Sequence, residues 1–112
     1  MDIDYHTVGT VLVVDVPEGT GRLAYIDIEE FIQGILEATK PPVTTIAFDL
    51  SRQEFLNSAG LGELVKVKDR LLDRSIELAL INCAPRVASL ITVAGVDRFF
   101  TVVRSEDELL QR

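Results

Sequence analysis

The 112-residue sequence has one cysteine, one histidine, one methionine and no tryptophan. A lone cysteine excludes an internal disulfide, and with a lone histidine it excludes a metal cluster of recognised Cys/His spacing. No segment approaches the ~20 consecutive apolar residues of a membrane-spanning helix, and the first residues lack the basic start and apolar run of a secretory signal. These absences predict a cytoplasmic protein without membrane insertion, metal or other cofactor.

Positive charge is also scarce. The chain has 11 Lys+Arg against 18 Asp+Glu, for a formal net charge of −7, and its basic residues are scattered along the sequence. Nucleic-acid binders need a concentrated cationic surface to displace counterions from phosphates, so direct nucleic-acid binding is not expected. The length and the 47% apolar content suit one compact domain over residues 1–112.

Hydrophobic periodicity divides the chain into alternating strands and helices. Strands are predicted over residues 3–7, 10–16, 43–50, 77–81 and 99–103, the first two joined through Val8 and Gly9. Helices are predicted to begin near Asp27, Asn57, Pro85 and Ser105. The order β-β-α-β-α-β-α-β-α predicts an α/β fold, a mixed β-sheet of four to five strands with about four helices packed largely on one side.

Two predicted helices carry apolar residues at helical spacing, which predicts the sides that face the core. In the helix that begins near Asn57 these residues are Leu61, Leu64, Val65, Leu71 and Leu72. In the helix that begins at Pro85 they are Val87, Leu90, Ile91 and Ala94.

Two enzyme-like or nucleotide-binding interpretations are disfavoured. Asp15 and Asp49, at predicted strand ends, resemble the acidic Mg²⁺ site of a phosphate-receiving domain, but that chemistry needs a cation near the last strand and the last lysine is Lys68. Residues 58–62 lack the spacing and the lysine of a nucleotide phosphate loop. We therefore interpret Asp15 and Asp49 as solvated strand ends, His6 as a strand-face residue and Cys83 as a buried residue.

The start of the second predicted helix is the main functional candidate. Gly60 and Gly62 lie within one turn and each costs about 1 kcal/mol relative to alanine, which suggests that another backbone or a partner approaches there. Ser58 is expected at the helix N-terminus with its hydroxyl accessible. A phosphate there would be favoured by the free N–H groups and the macrodipole, and would add about −1.5 to −2 charges. The simpler alternative is that Asn57 or Ser58 only caps the helix.

Several segments resemble the STAS domain family, typified by bacterial anti-sigma-factor antagonists. Residues 48–51 read F-D-L-S and residues 57–62 read N-S-A-G-L-G, close to the family's strand end and its D-S-[ST]-G-L-G motif. Residues 86–100 resemble the family's third helix with its T-G-L-D-[KR]-[LI]-F-type end, and residues 105–109 resemble its closing helix. The resemblance covers nearly the whole chain and implies a single STAS-like domain.

The resemblance implies a non-enzymatic role in transcription regulation by partner switching. The unmodified domain would bind an anti-sigma factor that is also a serine protein kinase, and phosphorylation of Ser58 would break that complex, with a serine phosphatase as a second partner. The implied partner surface comprises Asn57, Ser58, Ala59, Gly60, Leu61 and Gly62, together with Arg22 and Tyr25 from an early loop beside the helix start.

Three positions depart from the family pattern. Asn57 replaces the usual acidic residue before the serine, Ala59 replaces a second hydroxyl residue, and Ala24 replaces the aspartate of the early loop. These departures keep a second function open, in which the domain is a constitutive, unphosphorylated scaffold subunit of a stress-signalling assembly or a transporter.

Overall fold

The computed structural model describes residues 4–18, 30, 33, 34, 37 and 42–112. Most of the helix predicted to begin near Asp27 lies outside the described residues. The described residues of this region have helical backbone, and they are Glu30, Gln33, Gly34 and Glu37. The strands within the described part are β1 (Asp4–Val8), β2 (Val11–Asp15), β3 (Thr45–Asp49), β4 (Glu77–Ile81) and β5 (Thr101–Val102). Its helices with assigned bounds are α1 (Ser58–Leu72), α2 (Pro85–Val93) and α3 (Glu106–Leu110).

The five strands form one mixed sheet in the order β1-β2-β3-β4-β5. β1 and β2 are antiparallel and form a hairpin in which Val8 is paired with Val11. Gly9 turns this hairpin with φ of +60°, a conformation that glycine adopts at low cost. The other neighbouring pairs are parallel. The predicted α/β fold with a mixed sheet is therefore confirmed.

The sheet buries apolar side chains on both faces. One face packs against α1 and α2 in a core that includes Leu12, Ile46, Phe48, Leu64 and Ile91. The opposite face is formed by Val13, Ala47, Ala79 and Ile81, and Leu109 of α3 packs on it. Among the helices with assigned bounds, the prediction that helices lie largely on one side holds for α1 and α2, whereas the short α3 lies on the other side.

Details of the predicted apolar faces are corrected by the structure. Leu72 is 62% exposed, because it lies about 100° around the helix from buried Leu71, and Val67 occupies the core face instead. Ala94 is exposed because α2 ends one residue earlier and Ala94 is its C-cap. Cys83 is half-buried rather than buried.

Two polar contacts attach α3 to the sheet, and a third caps the helix. Ser105 caps the helix by accepting the Glu108 N–H at 3.2 Å. His6 Nε2 lies 2.8 Å from Glu106 Oε1, which links exposed β1 to the start of α3. At the other end, Arg112 pairs with Glu77 of β4 at 2.6 Å. The closing helix is thus tied to both sides of the face that it covers.

Candidate functional site

The chain that leads from β3 to α1 is held by Asp49 at the end of the strand. Asp49 Oδ1 accepts the Ser51 N–H at 2.9 Å, and its Oδ2 accepts from Asn82 Nδ2 at 3.1 Å. Asn82 has φ of +56°, a left-handed conformation that asparagine tolerates better than most residues. Asp49 therefore ties the ends of β3 and β4 together, and it is less solvated than the sequence predicted.

Gln53 anchors the same connecting segment from inside. Its side chain is fully buried, and its Nε2 donates to the carbonyl of Pro17, which follows β2. The Gln53 backbone N–H also donates to the Leu50 carbonyl at 3.0 Å, which closes a turn after β3. The sequence gives no signal for this residue, because a lone glutamine in a polar segment is usually exposed. The connection before α1 is thereby fixed to the ends of two neighbouring strands.

Asn57, rather than Ser58, caps α1. The Asn57 backbone is extended, and its Oδ1 accepts the Gly60 N–H at 2.9 Å. The Asn57 carbonyl accepts the first intrahelical bond, from Leu61 at 3.0 Å. Ser58 is the first helical residue and is exposed. Because the asparagine supplies the cap, the serine hydroxyl is available for other chemistry.

The electrostatics of this helix start favour an anion. The first turn of α1 contains no acidic residue, so no carboxylate of that turn offsets the positive end of the macrodipole. As in any α-helix, the first amides have no backbone acceptor within the helix, and Asn57 Oδ1 satisfies that of Gly60. A phosphoryl group on Ser58 would lie beside these amides.

The residues that follow Ser58 are partly open to solvent. Ala59 and Gly62 are exposed, Leu61 is half-buried and Gly60 is buried. A Cβ atom built on Gly62 would meet nothing within 4 Å, so none of the described residues makes the predicted close approach to this glycine. Arg22 and Tyr25, predicted to join this surface, lie outside the described residues.

An aromatic side chain that the sequence analysis missed lies just before the helix. Phe55 is 42% exposed, whereas its neighbour Leu56 is buried in the core. Both are apolar and adjacent, so the sequence does not distinguish the core residue from the surface one. Phe55 adds an apolar contact point two residues before the Asn57 cap.

The one cysteine does not provide a nucleophile. Burial of the Cys83 thiol, reinforced by the negative charge of Asp49, raises its pKa to about 11. A thiol with so high a pKa is protonated at neutral pH and reacts slowly. In the part of the chain that the structure describes, no three His, Cys, Asp or Glu side chains are grouped to hold a metal ion. No helix among those residues is long and apolar enough to cross a bilayer.

Comparisons with known proteins agree with this architecture. The model of the STAS domain family matches residues 2–109. An anti-sigma factor antagonist from Mycobacterium paratuberculosis has a similar structure, with a TM-score of 0.75, 22% identity and coverage of 98% of this chain and 91% of the other. The Bacillus cell fate determinant SpoIIAA in its phosphorylated form is also similar, with a TM-score of 0.68 and 19% identity. That comparison covers 99% of this chain and 98% of the other.

A protein of a transporter family is also similar in fold. A sulfate transporter family protein from Wolinella succinogenes has a TM-score of 0.72 and 13% identity, covering 91% of this chain and 83% of the other. No curated protein matches the sequence. At these identities the structural matches show a shared fold.

Proposed function

Because the chain belongs to the STAS domain family, we propose that it is a non-enzymatic, cytoplasmic switch protein of the anti-sigma-factor-antagonist type. In this proposal the unmodified domain binds an anti-sigma factor with serine kinase activity through the start of α1. Phosphorylation of Ser58 releases that partner, and a serine phosphatase resets the domain.

The observation that carries the proposal is the division of roles between Asn57 and Ser58. Asn57 satisfies the Gly60 N–H, and Ser58 is exposed at the first helical position. A kinase can therefore reach the hydroxyl without breaking the cap. The added phosphate changes the charge of the surface by about −1.5 to −2 while the helix stays formed.

The departure at Asn57 is compatible with this switch. The carboxamide oxygen of asparagine accepts the cap hydrogen bond in the position where a carboxylate oxygen of aspartate would accept it. It lacks the negative charge of aspartate, so a phosphate on Ser58 meets no adjacent like charge from that side chain. The proposed phosphorylated state is favoured by this substitution, although a kinase that reads an aspartate would recognise the site less well.

The partner surface is proposed to centre on Ser58 and Phe55. Phe55 provides an exposed aromatic group, and aromatic residues are frequent anchors of protein interfaces. Gly62, with open space where a side chain would stand, allows a partner to approach the helix backbone. Arg22 and Tyr25 belong to this proposal as further contacts.

A constitutive scaffold function is the second candidate. Its support is the similarity in fold to the Wolinella transporter family protein, together with Asn57 and Ala59 in place of the usual motif residues. In that case the same surface binds a stress-signalling assembly or a transporter, and the charge at Ser58 does not regulate it.

A comparative pull-down from extract of the native host distinguishes the two functions. The baits are the wild type, Ser58→Ala, Ser58→Asp and Ser89→Asp, the last placing the same charge at an exposed position of α2 as a control. Mass spectrometry should identify a serine kinase retained by wild type, Ser58→Ala and Ser89→Asp but lost from Ser58→Asp. Identical partners on all four baits would contradict the switch and support the scaffold.

A further inference from the structure

β5 forms one outer edge of the sheet, on the side away from the hairpin. It pairs only with β4 in the strand order, through Thr101 and Val102. The Val103 N–H donates to Leu80 of β4 at 3.1 Å, so residue 103 directs its amide toward the sheet. Successive residues of an edge strand direct their backbone N–H and C=O groups alternately toward the neighbouring strand and away from it. The N–H and C=O of Val102 therefore face outward and are open to another strand.

The segment around β5 is positively charged in an acidic protein. Residues 82–105 contain Arg86, Arg98 and Arg104 against one acidic residue, Asp97, whereas the whole chain carries −7. All three arginines are exposed, and none forms an ion pair with another described residue. Arg98 and Arg104 flank β5, so two exposed cations lie beside this edge of an acidic protein.

The three residues that follow this segment, Glu106, Asp107 and Glu108 of α3, are acidic, and two of them are held by other contacts. Glu106 contacts His6 of β1, at the opposite edge of the sheet. Glu108 is nearer, and its Oε2 accepts the Arg104 N–H at 3.1 Å. That bond holds the chain after β5 in place, while the Arg104 guanidinium has no such partner among the described residues.

Apolar side chains and a groove accompany the charge. Val102 of β5 is 40% exposed, and Phe99, two residues before the strand, is 55% exposed, which are high values for large apolar residues. A groove of about 310 Å³ lies beside β5, large enough for a bulky side chain. Its lining residues are Cys83, Ala88, Val102, Val103, Arg104 and Glu108.

We propose that the β5 edge is a second docking surface, which binds an extended acidic segment of a partner protein as an added strand. The backbone of Val102 would pair with the segment, and one apolar side chain of the segment would enter the groove. Its alternate carboxylates would lie near Arg98 and Arg104. Main-chain pairing combined with pockets for alternate side chains is a known physical basis of peptide recognition by sheet edges.

A partner segment explains this edge better than a second copy of the chain. Two copies that paired through β5 would bring Arg98 and Arg104 of each copy toward the same residues of the other. Like charges that face each other across an interface disfavour binding. An acidic segment converts the same arginines into favourable contacts.

The surface is separate from the proposed phosphorylation switch. Ser58 follows β3, and β4 lies between β3 and β5 in the sheet. A partner on the β5 edge therefore does not require the start of α1, and failure of one proposal does not decide the other.

Selection of a phage-displayed library of random twelve-residue peptides tests the proposal. Wild-type protein is the target and Val102→Pro is the counter-target, because proline removes the outward N–H of Val102 without removing the Val103 bond to β4. We expect enrichment of acidic peptides with alternating apolar residues. The best peptide, titrated into ¹⁵N-labelled wild type, should shift the amides of residues 101–104 and leave those of residues 57–62 unchanged.

Charge reversal provides a second test that does not depend on the folding of the proline variant. Arg98→Glu/Arg104→Glu should weaken the selected peptide about tenfold or more, whereas Lys66→Glu/Lys68→Glu on α1 should change its affinity less than about twofold. The proposal is overturned by enriched peptides that are neutral or basic, by equal recovery on the counter-target, or by amide shifts elsewhere. It is equally overturned if the wild type dimerises through this edge.

Discussion

Asn57 Oδ1 accepts the Gly60 N–H at 2.9 Å across the first turn of α1. This one bond assigns the structural role at the helix start to Asn57. It leaves Ser58, the next residue, exposed and free of a capping role. The account of function depends on this separation, since a residue that both capped the helix and received a phosphate would couple modification to unfolding of the turn.

Substitution of Asn57 should therefore destabilise the fold only when the new side chain has no oxygen to accept the Gly60 N–H. We expect Asn57→Ala to lower the free energy of unfolding by about 1 kcal/mol and Asn57→Asp to leave it unchanged or slightly raised. Urea denaturation of the three proteins measures these differences. If Asn57→Asp were as destabilised as Asn57→Ala, the cap would not be the reason for asparagine at this position.

Charge at Ser58 should act on the helix without damaging the fold. We expect Ser58→Asp to stabilise the domain by about 0.3–1 kcal/mol at low salt, and Ser58→Lys to destabilise it by a similar amount, because each charge lies at the positive end of the macrodipole. Thermal unfolding with and without about 1 M salt, which screens surface charges, measures the effect. Equal melting temperatures of the two variants at low salt would contradict this electrostatic description.

Much of this site is predictable because local chemistry determines it. The apolar alternation of residues 43–50 specifies β3, and Asn57 before an apolar periodicity specifies a capped helix. Pro85 likewise marks the first residue of α2, where its missing N–H costs nothing. In each case the physical cause lies within a few residues of the element, so a single sequence is enough.

The features that sequence analysis missed depend on contacts between distant segments. Gln53 is buried because it reaches Pro17, thirty-six positions earlier in the chain. Phe55 is exposed because Leu56 takes the core position, a choice made by packing.

The Glu77–Arg112 pair predicts a pH dependence of stability. The hydrogen bond from Arg112 holds the pKa of Glu77 below its ordinary value of 4.5, with further help from Thr101 and against the opposing effect of burial. Because the folded state binds this proton less tightly than the unfolded state, the contribution is present above about pH 4.5 and is lost as the pH falls through the lowered pKa.

The test compares wild type with Glu77→Gln by urea denaturation between about pH 7 and about pH 3. We expect wild type to be the more stable protein at neutral pH and its advantage to shrink in acid. In an Arg112→Ala background, the difference in the free energy of unfolding between the protein with Glu77 and its Glu77→Gln variant should change little with pH. A difference between wild type and Glu77→Gln that is constant with pH would contradict the assignment.

Cys83 should be unreactive in the folded protein. With a pKa of about 11 instead of 9.0, it carries about a hundredfold less thiolate near pH 8 than an ordinary cysteine. Alkylation by iodoacetamide should be correspondingly slow in buffer and fast in urea. Asp49→Asn should speed the native reaction modestly, because it removes a charge that opposes ionisation. Equal rates in buffer and urea would show that burial does not protect the thiol.

The central claim is that a phosphate on Ser58 releases a partner bound at the start of α1. It is tested most directly by calorimetric titration of the kinase retained by Ser58→Ala with the domain in three forms: unmodified, carrying phosphoserine at position 58, and carrying phosphoserine at position 89. The account predicts an affinity at least about tenfold weaker for the first phosphorylated form, and an affinity close to that of the unmodified domain for the second. Equal affinities of the unmodified and Ser58-phosphorylated domains would contradict it.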